Sequence, residues 1–119
     1  MLDRGFVFKI CSRQAWDAAL AEGVYAGSSD DRRDGFIHLS QAAQLQGTAA
    51  KHFLGQTDLL LVTFAAADLD GALRWEPSRG GALFPHLYGT LDPKLARAVR
   101  PLQLDGAGVP IVPAEPDPC

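Results

Sequence analysis

The sequence predicts an α+β domain on a largely antiparallel sheet, with two helices confined to its N-terminal half. Three observations lead there. Helical periodicity occurs only ahead of Gly55, in two stretches. Beyond it come short alternating or continuously apolar runs separated by Gly, Pro and Asp turns. Strands that follow one another without intervening helices pair antiparallel rather than through βαβ crossovers. No internal repeat or second domain is evident. Residues 1–112 read as a single domain, and residues 113–119 as a flexible Pro-rich tail.

In chain order, Gly5-Phe6-Val7-Phe8-Lys9-Ile10-Cys11 alternates, with Phe6, Phe8 and Ile10 on one face and Val7, Lys9 and Cys11 on the other. A lysine inside such a strand belongs at a sheet edge or aims into a cleft. Ser12 then caps a helix whose Trp16, Ala19 and Leu20 share one stripe, and Gly23 closes it as a C′ residue. Val24-Tyr25 resumes an extended course. Residues 26–34 are polar and turn-rich and read as a loop, either a solvated surface or a lid.

Asp34-Gly35-Phe36-Ile37-His38-Leu39-Ser40 is the segment from which a candidate site is built. Phe36-Ile37-His38-Leu39 alternates as a short strand, and Ser40 stands ahead of a helical pattern as an N-cap. That would leave His38 near a helix N-terminus, where free N–H groups attract anions. A core histidine beside an ordinary cap satisfies the same pattern. The helix carries Leu45, Ala49, His52 and Phe53 at helical spacing and closes at Gly55. His52 lies on or beside its apolar stripe, as a satisfied half-buried histidine or a ligand.

Residues 58–65 show almost no polar alternation, which suits a central strand covered on both faces. A turn over residues 68–71 leads to Leu73-Arg74-Trp75-Glu76, a strand stopped by Pro77. Ser78-Arg79-Gly80-Gly81 reads as a mobile connection. In Phe84-Pro85-His86-Leu87-Tyr88-Gly89, Phe84, His86 and Tyr88 share one side, and Pro85 places the strand at an edge or a bulge. Asp92-Pro93 resembles a cap and first helical residue, followed by one helical turn and a strand over residues 99–104, or by strand already over residues 95–99, with a pairing return at 109–112.

Composition narrows the function classes. Apolar residues are 47% and charged residues 21% of the 119, ordinary for a soluble globular protein. A net charge of −3 argues against nucleic acid as a partner, since phosphate binding needs excess Lys and Arg. No apolar run reaches the roughly 20 residues of a membrane span, and the N-terminus lacks a signal-peptide layout. Cys11 reads as a buried inert thiol and Cys119 as part of the solvated tail. Two cysteines are too few for a disulfide scaffold, so a reducing cytoplasm is expected.

The candidate chemistry is a cleft for a small polar or phosphorylated ligand. His38 and Ser40 would supply donors, with Trp75, Phe84 and Tyr88 available for stacking or for the core. Glu76 would hold hydroxyls or steady a developing cation. His38, His52 and His86 invite a metal, yet their spacing has none of the close pairs usual for zinc, and no metal is expected. Ser40 lacks the elbow of a serine nucleophile. Sequence assigns no oligomeric state.

The Phe36-Ile37-His38-Leu39-Ser40 and Phe84-Pro85-His86-Leu87-Tyr88-Gly89 strings, with Trp16, Gly23-Val24-Tyr25, Gln44, Asp58-Leu59-Leu60 and Leu73-Arg74-Trp75-Glu76, resemble a bacterial family catalogued as domain of unknown function 952. The resemblance spans residues 5–104. It implies a fold similar to the ADP-ribosyltransferases, a split α+β sheet around a NAD cleft. The His38-Leu39-Ser40 string also resembles the RNA 2′-phosphotransferases, which move a 2′-phosphate from RNA to NAD. The basic residues that would grip RNA are not evident here. By this resemblance NAD is the cofactor to expect, with Glu76 and His38 catalytic. His38, Ser40, Lys9, His86, Tyr88 and Trp75 would then bind it, Lys9 standing where relatives often carry a histidine. A non-catalytic metabolite-binding or interaction module on the same fold is the alternative. In that reading Glu76 serves in an ion pair with Arg74 or Arg79.

Overall fold

The structure, a computed structural model, describes residues 5–69, 71–114 and 116, and all of these except the Arg79 side chain. Among the described residues, two three-stranded antiparallel sheets and three short α-helices make up the fold, an α+β arrangement. β1 (Phe6–Ser12) leads into α1 (Arg13–Glu22), α2 (Ser29–Asp34), β2 (Ile37–His38) and α3 (Leu45–His52). β3 (Leu59–Ala65), β4 (Leu73–Pro77), β5 (Leu83–Leu87) and β6 (Ala96–Leu102) follow. Among the described residues no helix is long and apolar enough to cross a membrane.

The first sheet has the order β1-β3-β6, and its middle strand explains the unbroken apolar run. Leu60, Val62 and Phe64 of β3 point into one core with Val7, Cys11, Trp16, Tyr25, Ile37, Leu39 and Leu87. Leu59 and Leu61 point the other way, into a second core with Phe8, Ile10, Leu45, Ala49 and Leu102. A strand apolar on both faces is what two cores demand. Thr63 is fully buried there, and its hydroxyl has no hydrogen-bond partner among the described residues.

The second sheet has the order β2-β5-β4. Its inner face brings Ile37, Leu39 and Leu87 to the first core, with Leu73 and Trp75 packed against them. Among the described residues the edges of the two sheets are joined by one backbone bridge. Phe8 of β1 and Ser40, just past β2, exchange N–H···O bonds of 2.9 Å each way. Beyond that bridge the edges part, and the candidate site lies in the split.

α1 begins and ends as its sequence predicts. The Ser12 hydroxyl accepts from Ala15 N at 3.0 Å, and Gly23 takes a left-handed conformation at the C-terminus. Asp92 caps a single 3₁₀ turn over Pro93–Leu95, and residues 104 and 110 pair on the return from the Asp105 turn.

Three local expectations are corrected. Residues 29–34 form a helix, α2, rather than a loop, so the N-terminal half holds three helices. Ser28 accepts from Asp31 N, and the Asp31 carboxylate accepts from Ser28 N, a capping box that closes the helix without an apolar face. Ser40 is not an N-cap: its backbone is committed to Phe8. Gln41 opens a 3₁₀ turn instead, its N–H taken by Gln44 Oε1 at 2.9 Å, and α3 starts only at Leu45. The helix N-terminus expected beside His38 is therefore elsewhere.

β5 is central rather than an edge. Pro85 is tolerated because its carbonyl, on the side of β2, accepts from Leu39 N at 3.0 Å where that two-residue strand has ended. The connection at residues 78–81 is a tight turn closed by Gly81 N to Ser78 O at 2.8 Å. After the single 3₁₀ turn β6 begins at Ala96, so of the two readings of residues 95–99 the strand holds from Ala96. The expectations for Asp70, residues 115 and 117–119 (Cys119 included) and the Arg79 side chain lie outside the described residues.

Candidate functional site

Register places the two histidines of the sequence strings opposite each other. His38 of β2 pairs with His86 of β5, and on its other side His86 pairs with Arg74 of β4. Alternation turns Phe36, His38, Glu76, His86 and Tyr88 to the face away from the core. Phe36 stacks on the His86 ring, centroids 4.1 Å apart and planes 24° off parallel. It also touches His38 at 4.6 Å and Tyr88 at 5.2 Å.

Asp31 organises the His38 side. It is 2% exposed, and each carboxylate oxygen accepts twice. Oδ2 takes the Lys9 ammonium at 2.8 Å and Ser28 N at 2.9 Å. Oδ1 takes His38 N at 3.1 Å and His38 Nδ1 at 2.6 Å. Lys9, 7% exposed, crosses the split from β1 and also donates to the His38 carbonyl at 3.1 Å. Burial alone would raise the Asp31 carboxyl. The neighbouring Lys9 charge and the donors Lys9, His38 and Ser28 outweigh it and hold the group below the usual carboxylate range. His38 Nε2 lies 3.0 Å from Asp34 Oδ2, so both ring nitrogens face carboxylates. Hydrogen bonds from Arg33 and the charge beside it hold Asp34 low in its turn.

The His86 side is built more sparingly. Its Nδ1 donates to Glu76 Oε1 at 2.7 Å, and the Tyr88 hydroxyl donates to the same oxygen at 2.8 Å. Those two hydrogen bonds, His86 first, hold Glu76 below its ordinary pKa, and the Glu76 contact raises Tyr88. Arg74 lies over the Tyr88 ring, its guanidinium carbon 5.8 Å from the centroid.

A cleft of about 190 Å³ opens in the split. Lys9, His38, Ser40 and His86 all line it, so four of the expected site residues converge. Phe8, Ile10, Phe53 and Phe84 give it an apolar wall, while α2 supplies Asp30, Asp31, Arg33 and Asp34. Ser40 Oγ is 3.4 Å from Thr48 Oγ1, a long contact. Three expected residues are not among its lining. Trp75 packs against the first core on the opposite face of β4, which explains its failure to join the stacking set. Glu76 stands behind His86 rather than on the lining, and Tyr88 is exposed beside it. Among the described residues no group of three His, Cys, Asp or Glu side chains is placed to hold a metal.

Sequence reasoning missed Asp31, Asp34, Thr48 and the joining role of Phe36. One signal was present: Ser28-Ser29-Asp30-Asp31 has the S-x-x-D spacing of a capping box, which makes a helix of the supposed loop and fixes Asp31 in its first turn. Nothing local marks Asp31 as the partner of a lysine 22 positions upstream.

The comparisons with known proteins agree with this picture of the fold. The crystal structure of protein CC0527 from Caulobacter crescentus is similar, with 50% identity, a TM-score of 0.88, and coverage of 89% of this chain and 93% of that one. The solution NMR structure of CC0527 gives 50% identity, a TM-score of 0.80, and coverage of 88% and 90%. No curated protein matches the chain significantly. Residues 10–99 match the model of the family described as Protein of unknown function (DUF952), and the chain belongs to that family.

Proposed function

We propose that the split between the two sheets binds a small polar ligand of the nucleotide or NAD class, and that the domain works by binding it. One observation supports this above the rest. Lys9, His38, Ser40 and His86, drawn from widely separated parts of the chain, line the same cleft against a wall of Phe8, Phe53 and Phe84. An apolar cleft with a few convergent polar groups is the usual form of a small-molecule site. The likeness of the His38-Leu39-Ser40 string to the RNA 2′-phosphotransferases, which use NAD, favours the nucleotide class.

Transfer of ADP-ribose is the less favoured reading. It needs a carboxylate preorganised toward the carbon where positive charge develops. Glu76 is instead engaged by His86 and Tyr88. A binding module therefore fits the geometry better than a transferase. The cytoplasmic setting stays with this proposal, supported by the free, buried Cys11 thiol, which burial pushes up to about 11.

Thermal melting with NAD, ADP-ribose and AMP tests the proposal. A probe at a hundredfold over its dissociation constant stabilises the fold by about 2.7 kcal/mol. A melting temperature unmoved by millimolar amounts of all three, with the His38 and His86 resonances unshifted, overturns it. Release of nicotinamide from NAD that is lost in Glu76→Gln, with binding intact, would establish cleavage at the nicotinamide ribose in place of binding alone.

A further inference from the structure

We infer that His86 presents a bare Nε2, a hydrogen-bond acceptor, to the cleft, and that Glu76 is the positioning residue that keeps it so. The inference rests on the preceding reading of the split as a ligand site and names which chemistry that site selects.

The His86 Nδ1···Oε1 contact is 2.7 Å. An ionised carboxylate only accepts, so the ring proton in that contact sits on Nδ1. In the neutral ring Nε2 is then left with its lone pair. Nε2 has no hydrogen-bond partner among the described residues, although His86 lines the cleft and is only 5% exposed. Two further contacts fix the arrangement. Tyr88 donates to the same Glu76 oxygen at 2.8 Å, so the carboxylate is held from two sides. Phe36, stacked at 4.1 Å, fixes the plane of the imidazole.

Lys9 supplies the complementary half. Its ammonium uses two N–H groups, on Asp31 and on the His38 carbonyl, and the third has no partner among the described residues. The cleft thus offers an acceptor at His86 and a donor at Lys9. The ligand class that fits carries a hydroxyl or N–H group for His86 beside an oxygen acceptor for Lys9.

Long-range ¹H–¹⁵N spectra of the imidazoles in the ligand-free protein at neutral pH test this directly. His86 is expected to show a protonated Nδ1 and an unprotonated Nε2. Glu76→Ala should release the ring to the other tautomer or to a mixture. Glu76→Gln should restore the original signature, because an amide oxygen can accept from both Nδ1 and Tyr88. A protonated Nε2 in the wild-type protein, or the wild-type signature persisting in Glu76→Ala, overturns the inference. Titration with ADP-ribose adds the functional arm: affinity falls about tenfold in Glu76→Ala, one hydrogen bond's worth, and recovers in Glu76→Gln. Equal affinity in all three proteins overturns the selecting role of His86. If the wild-type protein fails to bind ADP-ribose at all, the proposed ligand class falls, while the ring spectrum still decides the state of His86.

Discussion

His38 and His86 are the same residue, directly opposed on paired strands, each with Nδ1 on a carboxylate, yet they are built for different purposes. Asp31, beneath His38, is sealed in the interior and takes four donors from three parts of the chain. Glu76, behind His86, is about one-third exposed and takes two donors, from β5 and from the residue that follows it. His38 spends both ring nitrogens on carboxylates, whereas His86 keeps one for the cleft. The difference lies in the surroundings of the carboxylate. A buried, multiply engaged acid ties elements together, while a half-exposed one orients a side chain and leaves the fold alone.

The sharpest way to break this contrast is to remove Asp31. Asp31→Ala leaves the Lys9 ammonium buried without its counter-charge and frees both β2 and α2. Removing one partner of a buried pair costs about 3–5 kcal/mol, read as a fall in the free energy of denaturant unfolding. A cost near zero would mean that the Asp31 cluster is ornamental. Gly27→Ala strikes the same cluster from outside. Gly27 has φ +101°, and an added Cβ would lie 2.7 Å from the Asp31 Cβ. Backbone strain and displacement of Asp31 together should cost about 1–3 kcal/mol in the same measurement.

Acid sharpens the comparison further. The Asp31 carboxyl is held below its unfolded value, so its contribution is fully present above the unfolded pKa of about 3.9 and lost as pH falls through the folded one. Stability should decline as pH falls below about 4, and Asp31→Asn should flatten that slope while being less stable at neutral pH. Asp34 and Glu76 are also lowered and act in the same direction, but solvent screens both. A slope unchanged in Asp31→Asn would move the acid sensitivity elsewhere.

Much of the fold was legible because local patterns decide it. The alternation of Phe6, Phe8 and Ile10 against Val7, Lys9 and Cys11 sorts β1 between two cores, and the unbroken Leu59–Val62 run announces a strand covered on both faces. Ser12 and Gly23 mark α1 at both ends. α2 escaped because apolar periodicity is blind to a helix without an apolar face; only its caps betray it. Ser40 escaped because a partner 32 positions away claims its backbone, and a hydroxyl beside a helical pattern looks the same either way. At the site, the strings around His38 and His86 gave two centres, and strand alternation put them on one side. What joins them to Lys9 is a long-range ion pair, and charges in a polar segment look solvated until the chain folds back upon them. Trp75 was open to both readings: as a core aromatic it packs against the first core, while the family resemblance alone placed it in the ligand set.

The smallest expected effect completes the comparison. Tyr88→Phe removes one of the two donors to Glu76 while leaving the His86 contact and the ring layer around Phe36 in place. Tyr88 is exposed and its hydroxyl returns to water on unfolding at little loss, so the denaturation midpoint should be nearly unchanged. Two results are expected together: a folded protein as stable as the parent, and an imidazole spectrum in which His86 Nδ1 remains protonated. A large loss of stability would put the Glu76 cluster in the same class as Asp31, and the distinction between a structural and an orienting carboxylate would collapse. A changed His86 signature at unaltered stability would instead mean that Glu76 needs both donors to hold its oxygen against the ring.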